Sequence, residues 1–183
     1  HLNQRPLPPK LSPMSAAQAL ASELSGREVY RSLQIDGYRV LITDGRFYRE
    51  ERTPANPSPS MLGPSQEAWL LQQLAGPDVP TLLVSGSTMT NGKDQSWDYH
   101  HAFFVQFLAA ASNRKLIFIG GDVHENRLIH HPGTSICEVT TSGAGLGLVS
   151  GFANKRNFCI MDLKPDVAEI YLIRKTRVQL SAS

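Results

Sequence analysis

Asp122 and His124 stand one residue apart in Lys115–Asn126, KLIFIGGDVHEN, and both can ligate a metal. A carboxylate is a hard oxygen donor and an imidazole a borderline nitrogen donor. Leu116–Ile119 ahead of them is apolar and rich in branched and aromatic side chains, long enough for a buried strand. Gly120-Gly121 then lets the backbone turn and approach a neighbour closely. A strand that ends in Gly-Gly and delivers Asp-x-His into a loop puts ligands where α/β sheets hold their sites, at the carboxyl ends of strands. In the competing reading Asp122 caps the turn and His124 is a surface residue. Spacing alone leaves both open, because one Asp-x-His pair supplies too few ligands for a closed site.

Other residue groups invite chemistry less strongly. Asp44-x-Arg46 follows an apolar run, and the planar fork of Arg46 suits phosphate. A structural ion pair pinning the loop would need the same two residues. Asp94–Tyr99, DQSWDY, brings acids, an indole and a phenol to the mouth of a helix. Trp97 reads as a core anchor there, leaving Asp94 and Asp98 available for other work. His100-His101 and His130-His131 match no structural zinc spacing, and adjacent histidines point different ways on a regular element. They read as helix-face, solvated or loop residues. Gly143-Ala144-Gly145-Leu146-Gly147, with Asp162 further on, imitates a dinucleotide fingerprint. Its glycine spacing is wrong, and no helix signal follows, so a loop is the better reading. No G-x-S-x-G elbow is present, and Ser85-Gly86-Ser87 lacks the helix that should follow a nucleophile.

The elements that must position these residues can be read from periodicity and turn chemistry. His1–Pro13 is proline-rich and reads as an extended arm, followed by a short helix over Ser15–Leu24. Glu28–Leu33 and Tyr38–Thr43 read as strands joined at Ile35-Asp36-Gly37. After the polar loop Glu50–Pro64, Ser65 caps a helix ended by Gly76-Pro77. Thr81–Ser85 reads as a strand and Trp97–Ala111 as a helix with Phe103, Phe104, Phe107 and Leu108 on one side. Lys115–Ile119, Ser135–Thr141, Asn157–Leu163 and Val167–Ile173 read as strands. Alternating strands and helices in the middle argue for parallel pairing, and the strand-only tail for antiparallel pairing or a second sheet. The fold class expected is therefore α/β with mixed sheets.

With 183 residues the chain has room for one domain plus an arm, and its 41% hydrophobic content is that of a globular protein. A net charge of +2, with no basic cluster larger than Arg174-Lys175-x-Arg177, gives no argument for nucleic acid. No run is long and apolar enough for a membrane span, and no signal segment opens the chain. Cys137 and Cys159 lie in strand-like contexts and read as free core thiols.

Taken in order, several segments resemble the PhoD-like alkaline phosphatases, a branch of the calcineurin-like metallophosphoesterases. Tyr30-Arg31-Ser32-Leu33 with Gly37, then Asp44-Gly45-Arg46-Phe47-Tyr48-Arg49, is similar to that family's strand pair ending in D-x-R-x-x-R. Met61–Leu70, MLGPSQEAWL, resembles its LG-x-x-Q-x-x-W-L helix start. Asp94-Gln95-Ser96-Trp97-Asp98-x-x-His101 resembles its D-x-W-x-x-Y segment, Gly121-Asp122-Val123-His124 its S-G-D-x-H, and Glu138–Ser142 the following E-x-x-x-S strand.

The resemblance implies the C-terminal half of a calcineurin-like αββα sandwich over residues 14–178, with 1–13 as arm or linker and 179–183 as tail. It implies metal-dependent hydrolysis of phosphate esters, with Asp122 and His124 as catalytic metal ligands and Arg46 and Asp94 near the substrate. The metals it suggests are calcium and iron or zinc-like ions. The upstream ligand motifs of the family are not in this sequence. The expectation is that a missing N-terminal half or another chain completes the site, that this chain alone is inactive, and that a half sheet favours homo-oligomers. The family suggests an exported or periplasmic setting. A non-catalytic remnant or interaction module of the same fold is the alternative.

Overall fold

The computed structural model describes residues 30–91, 95–143, 157–164 and 167–174. The arm, the helix expected at 15–24, Asp94, most of the Gly143–Gly147 run and the Pro165-Asp166 turn lie outside them. Six strands make one sheet: β1 (Arg31–Ile35), β2 (Tyr38–Ile42), β3 (Thr81–Val84), β4 (Leu116–Gly120), β5 (Arg127–His130) and β6 (Cys137–Thr140). Their order across the sheet is β1-β2-β3-β4-β6-β5. The inner neighbours β2, β3, β4 and β6 run parallel, and β1 and β5 close the two edges antiparallel. A separate antiparallel pair is formed by β7 (Asn157–Leu163) and β8 (Ala168–Arg174). The helices are α1 (Pro64–Ala75) and α2 (His101–Ala111), with a short 3-10 turn at Trp97–Tyr99. The chain is thus mixed α/β with a mixed sheet, as expected.

Register explains the layering. Val40, Leu82 and Ile117 are aligned across β2, β3 and β4, and so are Leu41, Leu83 and Phe118 one residue on. Side chains alternate across a strand, so these rows point to opposite faces. The Leu41 row is fully buried in one cluster with Leu70 and Leu74 of α1 and Phe107 of α2. The Val40 row packs with Met161 and Leu163 of β7. The sheet therefore lies between a helical layer and the β7–β8 hairpin. Trp97 is the hub of the helical side. Its ring meets Phe118 edge-on at 5.0 Å and Phe107 at 5.1 Å, and its Nε1–H donates to Ser85 Oγ at 3.1 Å. The indole is thereby buried without an orphaned donor.

Several expected boundaries move. β1 is Arg31–Ile35, because Ile35 pairs with Tyr38 and leaves Asp36-Gly37 as a two-residue turn. Both turn residues have positive φ, 45° and 84°, the signature of the Asp-Gly hairpin. Ser65 does not cap α1: the cap position is Gly63, and Pro64 opens the helix, where a missing N–H costs nothing. The helix expected from Trp97 begins as the 3-10 turn and becomes α-helical only at His101. β5 is an unexpected strand, and it makes His130 a strand residue rather than part of a loop. Cys137 and Cys159 are free but only half-buried, so neither is a core thiol. Burial pushes both thiols up from their ordinary pKa. No helix among the described residues is long and apolar enough to cross a membrane.

Candidate metal centre at the carboxyl edge of the sheet

Because β2, β3, β4 and β6 are parallel, their carboxyl ends share one edge of the sheet. Asp44 leaves β2 there, Ser85-Gly86-Ser87 leaves β3, Gly121–His124 leaves β4, and Thr141-Ser142 leaves β6. Gly120, the last residue of β4, and Gly121 after it meet the expectation of close approach. A Cβ on Gly120 would lie 3.1 Å from the Ser87 carbonyl oxygen, and one on Gly121 would lie 3.1 Å from that of Gly86.

The turn after Gly121 is strained. Val123 N–H donates to the Gly121 carbonyl at 3.0 Å, which closes a three-residue γ-turn centred on Asp122. Asp122 has φ 75°, so this is the rare left-handed form rather than the common inverse one. His124 is left-handed as well, at φ 54°. Such conformations cost about 1–3 kcal/mol for each non-glycine residue and persist only where surrounding structure enforces them. Two contacts enforce His124. Its N–H donates to Ser142 Oγ at 3.0 Å, and its carbonyl accepts from Asn157 Nδ2 at 3.0 Å. Asn157 is buried, and its Oδ1 in turn accepts from Gly143 N–H at 3.2 Å and Thr141 Oγ at 3.4 Å. Beside this clamp lies a cavity of about 220 Å³ lined by His124, Glu125, Asn126, Asn157 and Arg174.

Asp122 is exposed and His124 half-buried. The donor set, carboxylate plus imidazole, fits a metal as two corners of a site. Among the described residues no group of three or more His, Cys, Asp or Glu side chains could hold an ion. Any closed site therefore needs ligands beyond those residues.

Arg46 is exposed on the loop that leaves the same edge. The Asp44 carboxylate holds that loop through backbone donors, Arg46 N–H at 2.9 Å and Phe47 N–H at 3.3 Å. The Asp44–Arg46 contact in this turn thus runs to the Arg46 backbone N–H rather than forming the expected side-chain ion pair. Further along, Arg49 has a buried Nη1 with no hydrogen-bond partner. Asp98 is not spare: its Oδ1 accepts from Ser96 Oγ and from Asn91 N–H at 3.3 Å. Asp94 lies outside the described residues.

The histidine pairs are not surface features as a whole. His100 is buried with Nδ1 3.1 Å from the Pro59 carbonyl, whereas His101 is exposed. His131 is half-buried, with Nε2 3.0 Å from Glu138 Oε2. Glu138 is fully buried, and its carboxylate also takes Met89 N–H at 2.8 Å and Thr90 Oγ at 3.1 Å. It ties the segment after β3 to β6. The resemblance singles out Glu138 and Ser142 through E-x-x-x-S, but the supporting roles of these two and of Asn157 depend on partners distant in sequence.

The sequence matches no family model and no curated protein.

Proposed function

We propose that this chain contributes the Asp122–His124 corner of a metal centre that hydrolyses phosphate esters, in the manner of the PhoD-like, calcineurin-like phosphoesterases it resembles. The observation that carries the reading is the strained, doubly clamped Asp-x-His turn at the carboxyl edge of a parallel sheet. Strain enforced by buried contacts collects at sites that need fixed side-chain directions. Asp122 and His124 would hold calcium, iron or a zinc-like ion, and the remaining ligands come from outside the described residues. Bound there, such an ion would supply Lewis-acid polarisation of a phosphoryl oxygen and activation of water.

A basic group of the chain suits the substrate. Arg46 is exposed on a loop leaving the same edge. A guanidinium fork matches phosphate oxygens. Asp94 is carried here only by the resemblance. The fold proposed is the C-terminal half of the αββα sandwich, with β7–β8 belonging to the second sheet.

The test is metal content and hydrolysis of p-nitrophenyl phosphate and its diester analogue, for the chain and for Asp122→Asn and His124→Ala. Metal uptake that both substitutions abolish supports the reading. Metal bound by the parent chain and retained at the same content in both variants overturns it. A non-catalytic interaction module is the second reading. It is favoured by the exposed row Phe158, Ile160 and Tyr171 on the outer face of β7–β8. Self-association of a metal-free, inactive chain, lost when Ile160 and Tyr171 are made polar, would support it.

A further inference from the structure

We propose that Ser142 and Asn157 are positioning residues: they grip the His124 peptide from its two sides and hold Asp122-Val123-His124 in its doubly left-handed turn. The metal role of that turn rests on the function proposed above. The geometry of the grip does not.

A left-handed non-glycine residue costs energy and persists where the surrounding structure enforces it. At His124 both peptide groups are held. The N–H is held by Ser142 Oγ and the carbonyl by Asn157 Nδ2, each at 3.0 Å. The two anchors come from different layers. Ser142 follows β6 of the main sheet, while Asn157 opens β7 of the hairpin. The hairpin therefore reaches across to fix a loop that leaves β4. Asn157 is 3% exposed, and its side-chain oxygen is fixed by Gly143 N–H and Thr141 Oγ, so its amide cannot swing away freely. Gly121 sits against Ser142 as well, with its Cβ position 3.8 Å from that of the serine. With the start of the turn pressed on Gly86 and its end gripped, the directions of the Asp122 and His124 side chains are set by the protein rather than by a ligand. Groups that orient metal ligands from behind typically govern affinity by about 10–100-fold.

Asn157→Asp separates the grip from simple packing. It keeps the oxygen that serves Gly143 and Thr141 and replaces the donor to the His124 carbonyl with an acceptor. Ser142→Ala removes the other side, and Ser142→Thr restores a hydroxyl. The readouts are the intraresidue amide-to-Hα NOE of His124, strong only at left-handed φ, the amide exchange rate of His124, and Mn²⁺ affinity by titration. Asn157→Asp and Ser142→Ala should weaken the NOE, speed exchange at His124 and lower Mn²⁺ affinity by about tenfold or more, with Ser142→Thr close to the parent. An unchanged NOE and exchange rate in both variants overturn the grip. A lost left-handed φ with Mn²⁺ affinity intact overturns its positioning role. If the parent chain binds no Mn²⁺, the metal reading falls, and the NOE and exchange data alone decide the grip.

Discussion

Gln66 reads the backbone of Asp44 as a neighbouring strand would: its Oε1 accepts the Asp44 N–H at 2.8 Å and its Nε2 donates to the Asp44 carbonyl at 2.9 Å. The same Nε2 donates to the Leu62 carbonyl at 2.9 Å, and the side chain is 1% exposed. One amide of α1 thus satisfies backbone groups of the loop leaving β2 and of its own helix entrance.

Removing that amide should be costly. Gln66→Leu keeps the bulk but leaves the Asp44 N–H and carbonyl without partners. Stranded buried polar groups cost about 1–3 kcal/mol each, so a loss of about 2–4 kcal/mol is expected from urea unfolding. Gln66→Glu should be worse at neutral pH, because a buried carboxylate would face the Asp44 and Leu62 carbonyls. Protonation restores a donor, so this variant should recover stability as the pH falls. A Gln66→Leu variant within experimental error of the parent would show that the pairing contributes nothing.

Glu138 predicts a second asymmetry. Its buried carboxylate gathers Met89 N–H, Thr90 Oγ and His131 Nε2. Glu138→Ala abandons all of these donors at once and should cost about 3–5 kcal/mol. His131→Ala leaves the carboxylate with its other donors and should cost only about 1–2 kcal/mol. Denaturation midpoints of the two variants check the order, and equal losses would mean that the imidazole is the chief partner.

What could be read from the chain in advance follows from how local each signal is. The strands β2, β3 and β4 announce themselves because both faces of the main sheet are covered and their runs are apolar. The β5 segment Arg127–His130 does not. It is a short edge strand carrying Arg and His, the composition that keeps edges from pairing with other molecules. Asp122 and His124 were visible as donor types one residue apart, but their left-handed turn was not, since the groups that bond the His124 peptide, Ser142 and Asn157, lie far along the chain. His100 could not be read as buried, because the carbonyl it meets belongs to Pro59.

Acid should loosen the long loop before it unfolds the sheet. Glu50 Oε2 accepts Ser60 N–H and Asn56 Nδ2, both at 2.9 Å. Those bonds, the Ser60 N–H first, hold its carboxyl below the usual glutamate range. A depressed folded pKa means that the unfolded loop binds the proton more tightly. The loop's stabilisation is therefore full above the ordinary glutamate pKa and is lost as pH falls through the folded value. The protection of the Ser60 amide, its exchange corrected for the intrinsic pH dependence, should fall over that window, and Glu50→Gln should remove that fall. Protection that stays flat across the titration would contradict the assignment.

Gly121→Ala and Gly37→Ala distinguish strain at the candidate site from strain elsewhere. A methyl at Gly121 would sit 3.1 Å from the Gly86 carbonyl oxygen, and both sides of that contact are backbone. The end of β4 must then shift by a few tenths of an ångström, at a cost of about 1–3 kcal/mol. Gly37 has open space around it but φ 84°, so its alanine meets only the left-handed penalty, about 1–2 kcal/mol. The two variants should lose similar stability by thermal unfolding. Only Gly121→Ala displaces the Asp122 turn, so only it should weaken metal binding and alter the amide shifts of Val123 and His124. Equal effects on metal binding would mean that affinity tracks overall stability rather than the seating of β4 against the loop after β3.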